Sequence, residues 1–322
     1  MQHEINVAII QKAPVFLNLE ASMDLACQYI KDAVAEGAEV VVFPETWLPG
    51  YPIWLDLAPG AGLWDHAPAK ALFRVLSENS ITIPGPHFKR LRQLVMDLGA
   101  YVVMGLHERD GGTLYNTMLF LAPDGSYRIH RKLMPTYTER MVWGRGDGST
   151  LETMAMPAGS LGGLICWEHW MPLARAAMHA RGEVLHVAQW PMVKDLHQIA
   201  SRHYAFEGSC FVAAAGCVLS KQQAIDGYRS IAGAPEEGQV MLESMSATDK
   251  GLLLRGGSSV IAPDTRYIVE PKQDESVMIH ACIDTREIAE AHLALDTDGH
   301  YSRPDVFSLE VNTEPHNGVT FK

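Results

Sequence analysis

The sequence contains no hydrophobic run long enough to cross a lipid bilayer. The longest apolar stretch, residues 211–219, has about nine residues, whereas a membrane-spanning helix needs about 20. The first residues, MQHEINVAIIQK, have neither the basic segment nor the long apolar segment of a secretory signal. The sequence therefore predicts neither a membrane-spanning protein nor a secreted one.

Cysteine and positive charge are both scarce. The five cysteines are an odd number, they include no Cys-x-x-Cys pair, and no Asn-x-Ser/Thr site occurs. This pattern favours free thiols in a reducing, cytoplasmic setting. Lys and Arg number 26 against 38 Asp and Glu, which gives a net charge of −12. Such an acidic chain is not expected to bind nucleic acid or an anionic membrane through its net charge.

The chain has enough apolar residues for a large core. Hydrophobic residues make up 47% and charged residues 20% of the 322 positions, which is typical of a globular protein and not of a disordered one. Length alone predicts about two domains, but no change in composition marks a linker. We therefore expect one domain over residues 1–300 and a C-terminal tail over residues 301–322, either solvated or packed on a neighbouring subunit.

Strands and helices alternate along the chain. Residues 5–11 and the β-branched run 39–43 predict strands on either side of a helix that ends at Gly37. Two hairpins share an Ala-Pro-Asp turn, and residues 221–251 are polar and poorly periodic, which indicates a long excursion. The other predicted elements are helices over 67–77, 86–98, 172–181, 196–209 and 285–295, and strands over 101–106, 159–166, 183–190, 210–219 and 277–283. This alternation predicts a layered α/β fold.

Three polar residues follow predicted strands at comparable positions. Glu45 comes after EVVVF, Lys132 ends a hairpin strand, and Cys166 ends GSLGGLIC. Functional sites of α/β sheets assemble at the C-terminal ends of strands. Each residue also has an ordinary interpretation, as a solvated turn carboxylate, a surface cation or an inert core thiol.

The segment around Cys166 favours a functional interpretation. Residues 166–172, Cys-Trp-Glu-His-Trp-Met-Pro, join a strand to a helix whose first turn includes Pro172. A thiol that faces a helix N-terminus near a cation is expected to ionise more readily. The arrangement is similar to a nucleophile elbow with Cys in place of Ser, which a glutamate base and a lysine could complete.

Longer segments carry a resemblance to a known family. They are VVFPETWLPGYPIW (41–54), HRKLMPTYTERMVWGRGDGS (130–149) and GGLICWEHWMPLARAAMHARG (162–182), followed by GHYSRPDVFSL (299–309). In order and spacing these segments resemble the nitrilases of the carbon–nitrogen hydrolase superfamily, from the first strand to about residue 309. Cys-Trp-Glu and the stretch 143–148 are similar to true nitrilases in particular.

The resemblance implies a site, a mechanism and a fold. Glu45, Lys132 and Cys166 match the family's catalytic triad, and Glu139 matches its additional active-site carboxylate. The implied reaction is attack of Cys166 on a nitrile, with thioimidate and thioester intermediates and no cofactor or metal. The implied fold is a four-layer α-β-β-α sandwich that pairs into homo-oligomers, often spirals or filaments.

Several residues in or near these motifs are candidates for substrate contact. Trp54, Trp167 and Trp190 could line an apolar pocket for a small-molecule nitrile, although tryptophan is also common in cores. Glu168 could serve the chemistry or anchor its loop. No His-Glu-x-x-His motif occurs and the histidines lack ligand spacing, so no metal site is predicted. The Gly-rich residues 144–148 lack the features of a phosphate loop and are interpreted as a structural loop.

The leading hypothesis is a nitrilase that hydrolyses an organic nitrile to a carboxylic acid and ammonia. A cyanide-hydrolysing enzyme or an aliphatic amidase on the same scaffold is the nearest alternative. A non-catalytic, filament-forming protein is a more remote one. The first two differ in which carbon–nitrogen bond is cleaved, and the third predicts that Cys166 is unreactive.

Overall fold

The fold was determined as a computed structural model that describes residues 3–316. Its strands are β1 (Glu4–Gln11), β2 (Val40–Val42), β3 (Tyr101–Asp110), β4 (Thr113–Leu121), β5 (Tyr127–Arg131), β6 (Met154–Met156), β7 (Gly159–Ile165), β8 (Glu183–Gln189), β9 (Phe211–Ala215), β10 (Val218–Ser220), β11 (Leu252–Ile261), β12 (Tyr267–Gln273) and β13 (Val277–Asp284). Its helices are α1 (Leu19–Ala35), α2 (Trp54–Leu57), α3 (Ala67–Glu78), α4 (Pro86–Leu98), α5 (Pro172–His179), α6 (Asp195–Glu207), α7 (Lys221–Arg229), α8 (Glu236–Ser244) and α9 (Arg286–Ala291).

The strands form two mixed sheets. The first has the order β13-β1-β2-β3-β4-β5, and the second has the order β10-β11-β9-β8-β7-β6, with β12 paired to β11. The inner strands β1, β2 and β3 run parallel, as do β7, β8 and β9. Each parallel set follows from βαβ connections, and each hairpin strand is antiparallel to its neighbour.

Alternation along β1 shows how the layers are stacked. Val7 and Ile9 belong to the core that lies between the two sheets, whereas Ala8 and Ile10 belong to the core shared with α1 and α4. Helices α5 and α6 pack on the second sheet. Because successive side chains of a strand point to opposite faces, each sheet is covered on both sides. The predicted α-β-β-α sandwich is confirmed.

The two sheets are joined by hydrogen bonds at the edge where β2 and β8 end. The Gln189 side chain donates to the Phe43 carbonyl at 2.8 Å, and the Glu45 backbone N–H donates to the Trp190 carbonyl at 3.3 Å. Gly105 of β3 lets the chain after β2 lie against it, since a Cβ there would sit 2.1 Å from the Pro44 oxygen. These contacts place the ends of β2 and β8 next to each other.

Several sequence predictions differ from the structure. The predicted strand 210–219 is two strands, β9 and β10, because the chain turns at Gly216, where a Cβ would lie 2.7 Å from the Gly256 oxygen. The predicted excursion 221–251 contains the helices α7 and α8, of which α8 packs on α3 and α7 packs on α8. The predicted helix 285–295 is the shorter α9.

The described part of the tail lies over the body of the same chain. The His316 backbone N–H donates to Asp147 at 2.8 Å, and the Asn312 oxygen lies against Gly148. Phe307 remains 78% exposed. The last residues of the predicted tail, 317–322, lie outside the described residues.

Candidate active site

Three strand ends converge on one buried cluster. Glu45 follows β2, Lys132 follows β5 directly and Cys166 follows β7 directly. β5 runs parallel to β2 because two antiparallel pairings, through β4, separate it from β3. The three side chains therefore meet at one edge of the sandwich, and all three are buried. The structure thus brings the three predicted strand ends together.

Glu139 is brought to the same cluster by a short 3-10 turn, Tyr137–Met141. The Lys132 ammonium donates to Glu45 Oε1 at 2.9 Å and to Glu139 Oε2 at 2.7 Å. The Thr136 backbone N–H and the Tyr51 hydroxyl also donate to Glu139, at 2.6 and 3.0 Å. Glu139 is thus fully hydrogen-bonded and orients the ammonium.

Asn116 of β4 is a member of the cluster that sequence reasoning missed. Its side-chain amide donates to Glu45 Oε1 at 2.7 Å, and its backbone oxygen accepts from the Lys132 N–H at 2.9 Å. Glu45 Oε2 accepts no hydrogen bond from any residue in 3–316. Two donors therefore hold one oxygen of Glu45 and leave the other available to a reacting group.

Cys166 lies on a sharp turn. Its φ is +53°, in the left-handed region that residues with a side chain seldom adopt. A carboxylate oxygen of Glu45, one of Glu139 and the Cys166 sulfur lie within 4.8 Å of one another. The turn therefore directs the thiol toward the two carboxylates, as in a nucleophile elbow.

The predicted ready ionisation of the Cys166 thiol is wrong for the resting protein. A 3-10 turn, Cys166–Trp170, separates the thiol from the first residue of α5. Burial raises the pKa of Cys166 well above its usual range, and the neighbouring Glu45 adds to this effect more than Lys132 offsets it. The thiol is therefore neutral until a base removes its proton.

The carboxyl group of Glu45 is suited to that task. Burial raises its pKa to about 7, against the opposing effect of the Lys132 ammonium. Burial works against the charge of Lys132 as well, but Glu45, Cys166 and Glu139 together raise the pKa of this lysine. The cluster thus combines a base that titrates near neutrality with a permanent cation.

A cavity of about 170 Å³ opens over Cys166. Its size is comparable to the roughly 150 Å³ that admits benzene. Trp167 lines it and is half-exposed, and Tyr51 and Met192 are among the other side chains of its wall. Asp56 lies at its rim, where it accepts a hydrogen bond from Thr138 at 2.7 Å. The cavity can hold a small organic molecule next to the thiol.

The other residues predicted to contact substrate lie away from this cavity. Trp54 is buried in the core, edge-on to Phe16. Trp190 is fully buried, and its ring stacks on His197 at 4.3 Å between ring centres. Glu168 is buried, accepts from the backbone N–H groups of residues 133 and 165, and pairs with a histidine. These contacts favour packing for the tryptophans and loop anchoring for Glu168.

The cluster does not fit a metal ion. Glu45, Glu139 and Cys166 form the single group of potential ligands found within residues 3–316. The ammonium of Lys132 already lies between the two carboxylates. A second cation there would meet repulsion from a buried positive charge.

The length of the match to a known family shows where this chain belongs. The sequence profile of the carbon–nitrogen hydrolases matches residues 6–292 of this chain. The chain belongs to the carbon–nitrogen hydrolase family. No helix of this hydrolase within residues 3–316 is long and apolar enough to cross a lipid bilayer.

Similar proteins support this placement over the full length. The hydrolase is 38% identical to an aliphatic nitrilase from Sinorhizobium fredii, over 98% of both chains. It is 37% identical to a bifunctional nitrilase/nitrile hydratase from Lupinus angustifolius, over 98% of this chain and 88% of that one. It is 36% identical to nitrilase 1 from Arabidopsis thaliana, over 98% and 89%. The resemblance to the nitrilases is therefore confirmed.

Solved structures show the same fold. Nit3 of Saccharomyces cerevisiae, a member of the nitrilase superfamily, matches with a TM-score of 0.66 and 18% identity over 94% of this chain and 97% of that one. The NitFhit protein of Caenorhabditis elegans matches with a TM-score of 0.68 and 18% identity over 98% and 69%. At such identities the likeness concerns the fold alone.

The raised pKa of Glu45 predicts the pH dependence of this hydrolase. A base must be deprotonated, so kcat/KM is expected to fall about tenfold per pH unit below pH 7, the pKa of Glu45. Initial rates of ammonia release between pH 5 and 9 measure this. A flat profile from pH 5 to 7 would show that Glu45 does not act as the base.

Proposed function

We propose that this carbon–nitrogen hydrolase is a nitrilase that converts an organic nitrile and two waters to a carboxylic acid and ammonia. The observation that carries the proposal is the buried cluster of Glu45, Lys132, Glu139 and Cys166 beneath a cavity. Relatives at 36–38% identity over 98% of the chain are nitrilases. A nucleophile, a base and a cation in one dry site are what covalent catalysis requires.

The first half of the proposed reaction uses the thiol as nucleophile. Glu45 takes the Cys166 proton as the sulfur bonds to the nitrile carbon, and the proton passes to the nitrile nitrogen, which gives a thioimidate. Lys132 stabilises the charge that develops on that nitrogen. A first water, deprotonated by Glu45, then adds to the thioimidate carbon and gives a tetrahedral intermediate.

The second half releases both products. Glu45 passes the proton of the water to the nitrogen and then transfers the proton of the new hydroxyl group to the same nitrogen, so that the carbon–nitrogen bond breaks, ammonia leaves and a thioester to Cys166 remains. A second water, again deprotonated by Glu45, attacks the thioester and releases the acid and the free thiol. Glu45 alternates between acid and base, and a pKa near the working pH suits both roles.

A second product is possible at the tetrahedral intermediate. Loss of the sulfur instead of the nitrogen at that point would release an amide and regenerate Cys166. The relative from Lupinus angustifolius is a bifunctional nitrilase/nitrile hydratase. We therefore propose that product analysis include the amide as well as the acid.

The experiment is a substrate panel with ammonia, acid and amide measured together. It holds phenylacetonitrile, benzonitrile, an aliphatic dinitrile, cyanide and phenylacetamide. Ammonia and acid from organic nitriles, with a thioester adduct on the Cys166 peptide, would support a nitrilase. Ammonia only from cyanide or from the amide would instead assign the cyanide-hydrolysing or amidase activity. No ammonia, acid or amide from any substrate of the panel, together with an unreactive Cys166, would favour the non-catalytic alternative.

We also propose that the enzyme is a cytoplasmic homo-oligomer built from dimers that extend into spirals or filaments. All five cysteines are free thiols, which suits a reducing compartment. Leu173 of α5 and Ile199 of α6 are more than half exposed, and exposed apolar side chains on adjoining helices are suited to burial between subunits. On this proposal residues 1–300 form the catalytic domain and residues 301–322 contact a neighbour.

Removal of residues 301–322 is expected to reduce the assembly size. Val306 and Phe307 expose apolar surface in the described tail, and burying such surface on a neighbour would stabilise a larger assembly. Size-exclusion chromatography with light scattering measures the change, and activity in the resulting smaller species is the control for folding. An unchanged mass would mean that the tail does not hold subunits together.

A further inference from the structure

The left-handed turn at Cys166 needs a partner that holds it. Residues with a side chain keep such a backbone only where the surroundings fix it. The Cys166 carbonyl oxygen lies 2.7 Å from Nδ1 of His169, a buried residue. A carbonyl oxygen only accepts, so Nδ1 carries the proton and donates. The position of the thiol is thus tied to one imidazole on the side away from the cavity.

His169 is itself held by a buried hydrogen-bonded chain. Its Nε2 lies 3.0 Å from Nε2 of His186, and His186 Nδ1 lies 2.9 Å from Glu183 Oε1. The Tyr204 hydroxyl lies 2.5 Å from Glu183 Oε2. All four side chains are buried. Room for the carboxyl group comes from Gly162, where a Cβ would lie 1.8 Å from Glu183 Oε1.

The order of protons along this chain follows from donor and acceptor rules. A neutral His169 that donates through Nδ1 has an acceptor at Nε2, so His186 must donate from its own Nε2. A neutral His186 is then an acceptor at Nδ1, so Glu183 must donate to it. Tyr204 donates to the remaining oxygen of Glu183. One arrangement of neutral groups therefore satisfies every contact.

We propose that His169, ordered by His186 and Glu183, is a positioning residue that holds the Cys166 backbone in the conformation for attack. The inference rests on the proposed nitrilase reaction and adds to it a set of buried groups behind the nucleophile. None of these side chains lines the cavity. They reach the reacting groups through the turn at Cys166 and through Trp190, on which His169 stacks at 4.9 Å between ring centres and whose carbonyl accepts from the Glu45 N–H.

Burial favours the neutral form of each group in the chain. It lowers the pKa of His169 to about 3 and that of His186 well below its usual range, and it raises the pKa of Glu183 to about 8. The titratable groups that face Glu183 are His186, Tyr204, His179 of α5 and the Cys210 thiol. When Glu183 loses its proton, His186 donates to it from Nδ1 and no longer carries a proton on Nε2. The Nε2 atoms of His169 and His186 are then both acceptors and face each other.

The first comparison is His169→Asn against His169→Leu. An Asn amide can donate to the same carbonyl, while Leu cannot, and both variants leave His186 without its partner. We expect His169→Leu to lower kcat roughly 10- to 100-fold with KM within about twofold, since misplacing a reacting group has effects of this size. His169→Asn should retain kcat within about threefold. His179→Gln is the matched control, because His179 packs on Tyr204 without touching His169.

The second comparison is the pH profile of Glu183→Gln. A glutamine amide donates to His186 and its oxygen accepts from Tyr204 at every pH, so it imitates the protonated carboxyl group. Wild-type kcat is expected to fall above pH 8, and the Glu183→Gln enzyme should retain its rate at least one pH unit further. His169→Asn should retain it as well, since its donor no longer depends on Glu183. A role in stability alone would not shift the pH above which kcat falls.

Alkylation separates this inference from the nitrilase proposal. The rate of iodoacetamide labelling at the Cys166 peptide, relative to the exposed Cys282 peptide, reports the thiol position without any nitrile. Slower Cys166 labelling in His169→Leu, restored in His169→Asn, supports the positioning role even if no nitrile is hydrolysed. Equal labelling and kcat in both variants would overturn it. If His169→Leu does not fold, the pH profile of Glu183→Gln decides. A fall in kcat at the same alkaline pH as in the wild type would overturn the positioning role.

Discussion

Replacing Cys166 by alanine is expected to reduce kcat for every accepted nitrile by about 10⁴-fold or more. No other group of the cluster can form the carbon–sulfur bond, and loss of a covalent nucleophile has effects of at least this size. The methyl group of alanine also fits the left-handed turn no worse than the cysteine side chain does. The fold and the cavity should therefore persist, so a competitive ligand should still bind.

The matched control for this substitution is Cys282→Ala. Cys282 is the exposed thiol of the chain, and it lies on β13, away from the cavity. We expect full activity from this variant and full loss from Cys166→Ala, measured as ammonia and acid release under single-turnover conditions. Residual turnover in Cys166→Ala above about 1% would mean that water attacks the nitrile directly.

The fold was largely predictable where local pattern and tertiary structure agree. The run Val40–Val42 is apolar, as expected for a strand such as β2 that is buried on both faces. Gly37, with a φ of +94°, follows the end of α1 as its position in the sequence indicates. Such signals lie within a few neighbouring residues, so one sequence contains them.

Helices α7 and α8 were not predictable in the same way. The buried side of α7 consists of a few residues, among them Ala224 and Tyr228, in an otherwise polar segment. Gly238 of α8 packs against the Tyr228 ring and Leu72 of α3. These helices are stabilised by packing on distant elements and not by a long apolar face. Each helix has only nine residues, so its few apolar positions are hard to distinguish from those of a polar loop in the sequence.

The residues of the site also fall into those that sequence could predict and those that it could not. Glu45, Lys132 and Cys166 were predictable because parallel strand ends converge and the family motifs surround them. Asn116 and His186 lie within β4 and β8, where a polar residue resembles the solvent-facing half of an alternating strand. Their partners are far along the chain, since Asn116 binds a carboxylate 71 positions away. Only the folded structure brings these pairs together.

Replacing Glu45 by glutamine is expected to lower kcat at least about 10³-fold, since general acid–base catalysis contributes about 10² to 10⁴ at one step and Glu45 serves several. Glutamine keeps an oxygen to accept from Asn116 and Lys132, so KM should change little. It cannot take the Cys166 proton. Steady-state rates and the labelling rate of Cys166 by iodoacetamide should both fall.

Glu139→Gln is the control that assigns the base. Glu139 is as close to the cluster as Glu45, but Tyr51, Thr136 and Lys132 occupy both of its oxygens, whereas one oxygen of Glu45 has no partner within residues 3–316. A carboxylate with both oxygens engaged is a poor proton acceptor. We therefore expect Glu139→Gln to lose less activity and to keep the fall in kcat/KM below pH 7, which Glu45→Gln should lose. The reverse outcome would make Glu139 the base and Glu45 the residue that orients Lys132.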